Sequence, residues 1–199
     1  MTIAVRSVQP DDRDRLLEWR NNPRVREMSL DDRLIDAGDH ERWFTSLVGG
    51  DTSHVLIALA DNEPAGIVRL GDLDVTNRTA SWSCHAGAAT LTPGFGACLP
   101  VVGLGLGFGR FGLDRMHAEV LGINKNMRGV HRRLRLVEEG VRREQAMRAD
   151  GERVDVHEFG VLREEWPEVR NRMMSLLPSS ISQSLGDVLE QLANSEPGD

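Results

Sequence analysis

The chain has 199 residues, enough for one α/β domain with a sizeable core, and its net charge of −7 argues against a nucleic-acid partner, which would favour a basic surplus. Six scattered histidines and the two cysteines, Cys84 and Cys98, show no zinc-ligand spacing, so we expect reduced thiols and no metal. The N-terminal residues show no secretory pattern and no apolar run approaches the roughly 20 residues that span a bilayer, so we expect a cytoplasmic protein without membrane contact.

The N-terminal half predicts one strand, two helices and three more strands. Residues 3–8 alternate in hydrophobicity, as in a strand. Asp11 or Asp12 can cap a helix that runs through about Asn22, and Pro23 ends this helix or bends the chain away from it. Residues 24–38 are polar and predict a flexible connection or a short irregular helix, and Asp39 opens a second helix. Further strands are predicted at residues 54–60, 65–75 and 79–86.

After residue 97 the predicted elements change from consecutive strands to strand–helix–strand connections. A strand at 116–123 is followed by Asn124, a helix cap, and by a basic helix that ends near Arg135. Asp150-Gly151 predicts the turn of a hairpin formed by residues 136–149 and 152–161. Two helices follow, at residues 168–177 and 184–193. Together these elements predict an α/β (α+β) fold with a mixed, mostly antiparallel central sheet and helices on both faces.

A glycine turn, Pro93-Gly94-Phe95-Gly96-Ala97, lies where a helix could begin. Glycine lets the backbone turn sharply and exposes main-chain N–H groups. Unpaired donors and the helix dipole at such a position both favour a phosphate. A Gly-x-Gly turn is more often only a turn, so this motif alone leaves both interpretations open.

The stretch AEVLGINKNMRGVHRRLRLVEEG, residues 118–140, resembles the pattern of GNAT acetyltransferases. The resemblance covers most of residues 1–166, including LLEWRNNPRVR and FGVLREEW. These flanks look most like the branch of amino-sugar-nucleotide N-acetyltransferases of pseudaminic acid synthesis and ribosomal-protein N-terminal acetyltransferases. The resemblance implies a GNAT acyltransferase domain at residues 1–166 and a helical C-terminal extension at residues 167–199. The matching residues are Glu119, Val120, Leu121, Asn124, His131, Leu134, Glu139 and Gly140.

The resemblance also predicts a helix over residues 98–112, against local propensity. Gly103, Gly105, Gly107 and Gly109 alternate there with Leu and Phe, and each glycine inside a helix costs about 1 kcal/mol relative to alanine. By period alone the stretch could be a strand or a glycine-rich phosphate loop.

The same resemblance implies acetyl-CoA as a cosubstrate. Its pantetheine arm would lie along the main chain of Cys84, His85 and Ala86. Leu91 stands where the family usually has Arg or Gln, which removes one polar contact to the cofactor. The remaining cofactor candidates are Thr92, Gly94, Phe95, Gly96, Ala97 and Asn124.

In the resembling families the first two helices and their connection cover the acceptor site. The candidates for substrate contact are therefore Trp19, Arg20, His40, Trp43 and Trp82. For the aromatic residues, core packing is the competing interpretation.

The chemistry implied is direct attack by an amine on the thioester, which needs a base. Glu119 is the candidate base, and it could instead only pair with a neighbouring strand or an arginine. The usual leaving-group acid is a tyrosine, which this chain lacks. His131 occupies the matching position and could act as an imidazolium acid, or could be a solvated helical histidine.

These observations predict an acetyl-CoA-dependent N-acetyltransferase that acts on a primary amine of a small molecule, first of all an amino sugar on a nucleotide. The alternatives are a protein N-terminal or natural-product acyltransferase, and a degenerate member that only binds acyl-CoA or a partner. The C-terminal extension could pack on the domain, form a homodimer or dock a protein partner through residues 168–193.

Overall fold

A seven-stranded sheet forms the centre of the fold. The computed structural model of the protein describes residues 1–48, 54–87 and 93–195. The strands are β1 (Ile3–Ser7), β2 (His54–Ala60), β3 (Glu63–Asp74), β4 (Thr79–Ala86), β5 (Arg115–Leu121), β6 (Val137–Met147) and β7 (Arg153–Leu162). Their order is β1-β2-β3-β4-β5-β7-β6, and every neighbouring pair is antiparallel except β4 and β5. The predicted mixed, mostly antiparallel sheet is confirmed.

Seven α-helices surround the sheet in the described part of the chain. They are α1 (Arg13–Asn21), α2 (Pro23–Arg26), α3 (Ala37–Val48), α4 (Phe95–Gly105), α5 (Lys125–Leu134), α6 (Trp166–Leu176) and α7 (Ser179–Asn194). A π-helical turn, Leu106–Arg110, directly continues α4.

Helices α3 and α7 begin earlier than the sequence predicts. Helix α3 starts before Asp39, because the carboxylate of Asp36 accepts hydrogen bonds from the N–H groups of Gly38 and Asp39. Asp36 therefore supplies the cap. Helix α7 starts at Ser179 rather than at residue 184, directly after Pro178, whose carbonyl oxygen accepts from the first turn.

The two faces of the sheet carry separate hydrophobic cores. On β2, Val55 and Ile57 face α1 and α3, whereas Leu56 and Ala58 belong to the larger core with α4. This alternation follows from the two-residue period of a strand. We call these surfaces the α3 face and the α4 face. Both faces are covered, as predicted.

The predicted helix over residues 98–112 is present as α4 and the π turn. Its glycines let the helix lie directly between the sheet and α7. A Cβ at Gly103 would meet Trp82 and Val68 at 3.3 Å, and one at Gly109 would meet the main chain of Ala193 at 3.3 Å. Close approach on both sides therefore accounts for glycines that local propensity disfavours.

The C-terminal helices share the core of the α4 face. The N–H of Ile3 on β1 donates to the hydroxyl of Ser184 on α7 at 2.9 Å. Of the roles left open for this segment, packing on the domain is the one that the contacts show. The side chains that α7 buries are Ile181, Leu185, Val188, Leu189 and Leu192.

Within the described residues, no helix combines the length and the apolar character needed to cross a membrane.

Packing of α7 on the π turn can be tested with Gly109→Val. We expect this substitution to lower the free energy of unfolding by about 1–3 kcal/mol, because the new side chain meets the main chain of Ala193. Gly186→Ala is the control, since a Cβ at Gly186 has no neighbour within 4 Å, and it should raise stability by up to about 1 kcal/mol. Urea denaturation measures both. A Gly109→Val protein as stable as the wild type would contradict this packing.

Candidate active site

Strands β4 and β5 part soon after they meet. Their parallel pairing joins only residues 79–81 to residues 115–117. Beyond Ser81, β4 continues to Ala86 with β3 as its only strand partner in the described part of the sheet. The edge of β4 that faces β5 therefore presents main-chain donors and acceptors without a strand partner over residues 82–86.

A cavity of about 320 Å³ lies on the α3 face over the same part of β4. Its floor includes Ser83, Cys84 and His85 from β4, together with Ile67 and Arg69 from β3. Its volume is at the lower end of the range for small-molecule sites. The remaining lining residues come from α1, α3 and the connection between α2 and α3, namely Leu16, Arg20, Ile35, Asp39, His40 and Trp43.

Side chains of α1 hold the connection that closes the cavity. The amide of Asn21 donates to the carbonyl oxygen of Ile35 and accepts from its N–H, both at 2.8 Å. Arg20 donates from Nη2 to the carbonyl oxygen of Asp31. Segment 27–36 is therefore fixed through its main chain, although it contains no regular secondary structure after residue 28.

A second arginine holds segment 27–36 from the hairpin between β6 and β7. Arg148 is 7% exposed and donates to the carbonyl oxygens of Ser29 and Glu27 at 2.8 and 2.6 Å. It also pairs with the carboxylate of Asp32 at 3.2 Å. Sequence reasoning missed Arg148, because nothing local marks a contact across more than a hundred residues.

Two nitrogen atoms at the cavity are buried without a hydrogen-bond partner among the described residues. They are Nη1 of Arg20 and Nε2 of His85. Burial, and secondarily the charge of Arg20, lowers the pKa of His85 to about 4. His85 is thus neutral near pH 7, while Arg20 keeps its charge.

Three of the five predicted substrate residues line the cavity, namely Arg20, His40 and Trp43. His40 is 4% exposed, and its Nε2 lies 2.7 Å from the carbonyl oxygen of Arg13. His85 was predicted only as a main-chain contact for the cofactor, and its side chain joins these residues in the cavity. Ser83 and Arg69 line the cavity and were not predicted.

The other two predicted substrate residues lie in hydrophobic cores. Trp19 belongs to the core of the α3 face, where a Cβ on Gly87 would lie 2.0 Å from its indole ring. Trp82 points to the α4 face, with its ring centroid 5.1 Å from that of His131. Because side chains alternate along a strand, Trp82 lies on the other face of the sheet from Ser83 and His85. Core packing therefore accounts for both Trp19 and Trp82.

The glycine turn does begin a helix. Gly94 adopts φ +95° at the N-cap of α4, a conformation that favours glycine, and a Cβ on Gly96 would meet no atom within 4 Å. Leu177, between α6 and α7, and Ile181, in the first turn of α7, lie beside Gly94. The site is thus an open helix N-terminus with an apolar wall. Leu91 and Thr92 lie outside the described residues.

Asn124 has a capping role in the structure. Its side-chain oxygen accepts a hydrogen bond from the N–H of Met127 at 3.1 Å, which fixes the start of α5. Contact of Asn124 with the cofactor stays a prediction.

Glu119 lies on β5 beyond the last residue that pairs with β4. Its carboxylate pairs with Arg142, which also contacts Glu158 at 3.1 Å, and its side chain is 33% exposed. Glu119 is not among the residues that line the cavity. The pairing with an arginine is therefore present, and the role as base stays a prediction.

His131 is buried on the α4 face. It is 2% exposed and lies between Trp82 and Phe159, with ring centroids 5.1 and 4.7 Å away. Burial lowers its pKa to about 4, and its Nδ1 has no partner in the described structure. A neutral imidazole is therefore the resting form, and the structure does not show the solvated histidine considered from the sequence.

The sequence model of the acetyltransferase (GNAT) domain matches residues 2–137. The chain belongs to the GNAT acetyltransferase family. Members of this family use acetyl-CoA as the acyl donor, so the protein is an acyltransferase of this type. No functionally curated protein matches it significantly in sequence.

Solved structures agree with this fold. Spermidine N-acetyltransferase from Vibrio cholerae, in complex with CoA and spermine, is 17% identical with a TM-score of 0.76, over 83% of this chain and 98% of that one. RimJ from Mycobacterium smegmatis, in complex with CoA-disulfide, is 17% identical with a TM-score of 0.72, over 87% and 88%. A GNAT acetyltransferase from Streptococcus pneumoniae is 22% identical with a TM-score of 0.63, over 80% and 99%.

The residues present fit acetyl-CoA through main-chain groups. The unpaired edge of β4 could bind an extended amide chain, and the open helix start at Gly96 could bind phosphate oxygens. For a metal, the described residues contain no group of three or more His, Cys, Asp or Glu side chains that could hold one.

Burial of His131 predicts a pH dependence of stability. Its pKa is about 4 when folded and 6.5 when unfolded, so the unfolded state binds more protons between these values. Stability should fall as the pH drops through this window, by up to about 3 kcal/mol for this group.

The variant His131→Phe isolates this effect, because it keeps an aromatic ring and removes the titration. We expect its free energy of unfolding, measured in urea from pH 7 to pH 4.5, to fall less steeply than that of the wild type. A wild-type-to-variant difference that is the same at every pH would contradict a neutral, buried His131.

Proposed function

We propose that the protein acetylates the primary amine of a small molecule, with an amino sugar carried on a nucleotide as the first candidate acceptor. One observation carries this proposal: the acceptor-sized cavity and the unpaired edge of β4 share Ser83, Cys84 and His85. An amine in the cavity would therefore be next to an acyl donor held along β4.

Acetyl-CoA, when bound, supplies the thioester acyl group. The main chain of β4 would orient that group, and the N–H groups of Phe95 and Gly96 in the first turn of α4 would bind its phosphates. The N–H of Ala97, predicted with them, instead donates to the carbonyl oxygen of Gly94 at 3.1 Å. Phe95 supports this turn, because its own side chain is fully buried beneath it.

Glu119 is the proposed acceptor of the amine proton. It lies on β5 where the two strands part, with a carboxylate that Arg142 holds. An amine that enters between the strands would reach this carboxylate directly or through water. His131 is proposed only as the group at the position of the usual acid. To act as an acid, its neutral imidazole would first have to gain a proton, which it could then donate to the leaving sulfur.

Titration calorimetry with acetyl-CoA tests the donor site. We expect saturable binding that Gly96→Pro weakens, because proline removes the N–H of Gly96 from the helix start. Gly96→Ala is the matched control, since it keeps the N–H and its Cβ meets no atom within 4 Å. No binding at millimolar acetyl-CoA, or equal weakening in both variants, would overturn the proposed phosphate site.

Thiol release with an accepted amine tests the role of Glu119. We expect Glu119→Gln to lower kcat by about 10²–10⁴-fold, the usual contribution of a general base, with little change in the Kd for acetyl-CoA. Glu152→Gln, at the exposed turn between β6 and β7, is the control. Near-normal turnover in Glu119→Gln would assign the base elsewhere, and His85 would be the next residue to test.

A further inference from the structure

Arg20 brings a positive charge to the wall of the cavity. Asp31 and Asp32 stabilise this charge from a distance, but neither forms an ion pair with it among the described residues. Nη1 of Arg20 is buried without a hydrogen-bond partner in the described part of the chain, and its Nη2 donates to a carbonyl oxygen rather than to a carboxylate. A buried donor left unpaired loses its hydrogen bonds to water without replacement, which is more unfavourable for a charged group than for a neutral one. A bound group that accepts from Nη1 would recover this cost.

The carboxylates near Arg20 are engaged elsewhere. Asp31 pairs with Arg33 at 2.8 Å, and Asp32 pairs with Arg148 at 3.2 Å. These acids therefore do not complete an ion pair with Arg20 among the described residues.

The acidic side chain in the cavity wall, Asp39, is also paired, with Arg42. Arg69 adds a second guanidinium to the lining, and His85 adds a neutral imidazole whose Nε2 is unpartnered. The lining is thus rich in donors and carries a net positive charge.

We infer that the acceptor carries an anionic group, a phosphate or a carboxylate, which binds Arg20 while the amine faces β4. This inference rests on the proposed function and narrows its substrate class. A planar guanidinium suits both groups, because it can donate two parallel hydrogen bonds to their oxygens. A polyamine, which is only cationic, would be repelled by Arg20 and Arg69.

The test compares paired probes by calorimetric titration in the presence of CoA. Glucosamine 6-phosphate is compared with glucosamine, glycine with glycinamide, and spermidine serves as the cationic probe. We expect at least one anionic probe to bind roughly 10- to 100-fold more tightly than its neutral partner and than spermidine. The pair that shows the preference identifies phosphate or carboxylate.

Variants connect the preference to Arg20. Arg20→Leu should bring the ratio of affinities within the pair close to one. Arg20→Lys should keep part of the preference, because a charge remains without the planar geometry. Arg24→Gln, on the exposed side of α2, is the control and should keep the full ratio. Because the ratio compares two probes on one protein, a general loss of folding does not imitate the effect.

Equal affinities within both pairs, tighter binding of spermidine, or a preference that survives Arg20→Leu would overturn the inference. The proposed function fails separately, when acetyl-CoA does not bind or when no amine releases thiol. If the protein shows the anion preference but does not bind acetyl-CoA, the anion-binding site stands and the proposed enzymatic function fails.

Discussion

The short pairing of β4 with β5 is the constraint on which the site depends. Because only residues 79–81 pair with 115–117, the sheet stays continuous at one end and opens at the other. The opening leaves main-chain groups of β4 without a strand partner in the described part of the sheet, next to the cavity that Ser83 and His85 line. The proposed donor and acceptor sites thus share residues of one strand.

Close packing on the α4 face explains how this opening is tolerated. Helix α4 and its π turn lie against the sheet on one side and α7 on the other, with glycines at the contacts. Leu177 and Ile181, near the start of α7, lie beside the N-cap Gly94. The C-terminal helices therefore support the helix start that would bind phosphate, and they give it an apolar wall on the side of these two residues.

Local signals were sufficient for the strands, the glycine turn and the cap at Asn124, because each depends on a few adjacent residues. The cavity could be predicted only in part. Alternation along β4 already separates Trp82 from His85, and applying it would have removed Trp82 from the substrate residues. The contacts of Arg148 could not be found in this way, because they join a hairpin to segment 27–36 across the whole fold.

The chemistry of the leaving group follows from what the chain lacks. It contains no tyrosine, and the matching His131 is neutral because burial lowers its pKa to about 4. An oxygen leaving group would demand a proton, but a thiol ionises near pH 8.5, so a thiolate can leave without full protonation. The greater demand falls on the amine, which must lose a proton before it attacks. The proposed acceptor side is also where Nη1 of Arg20 and Nε2 of His85 are buried without a partner among the described residues.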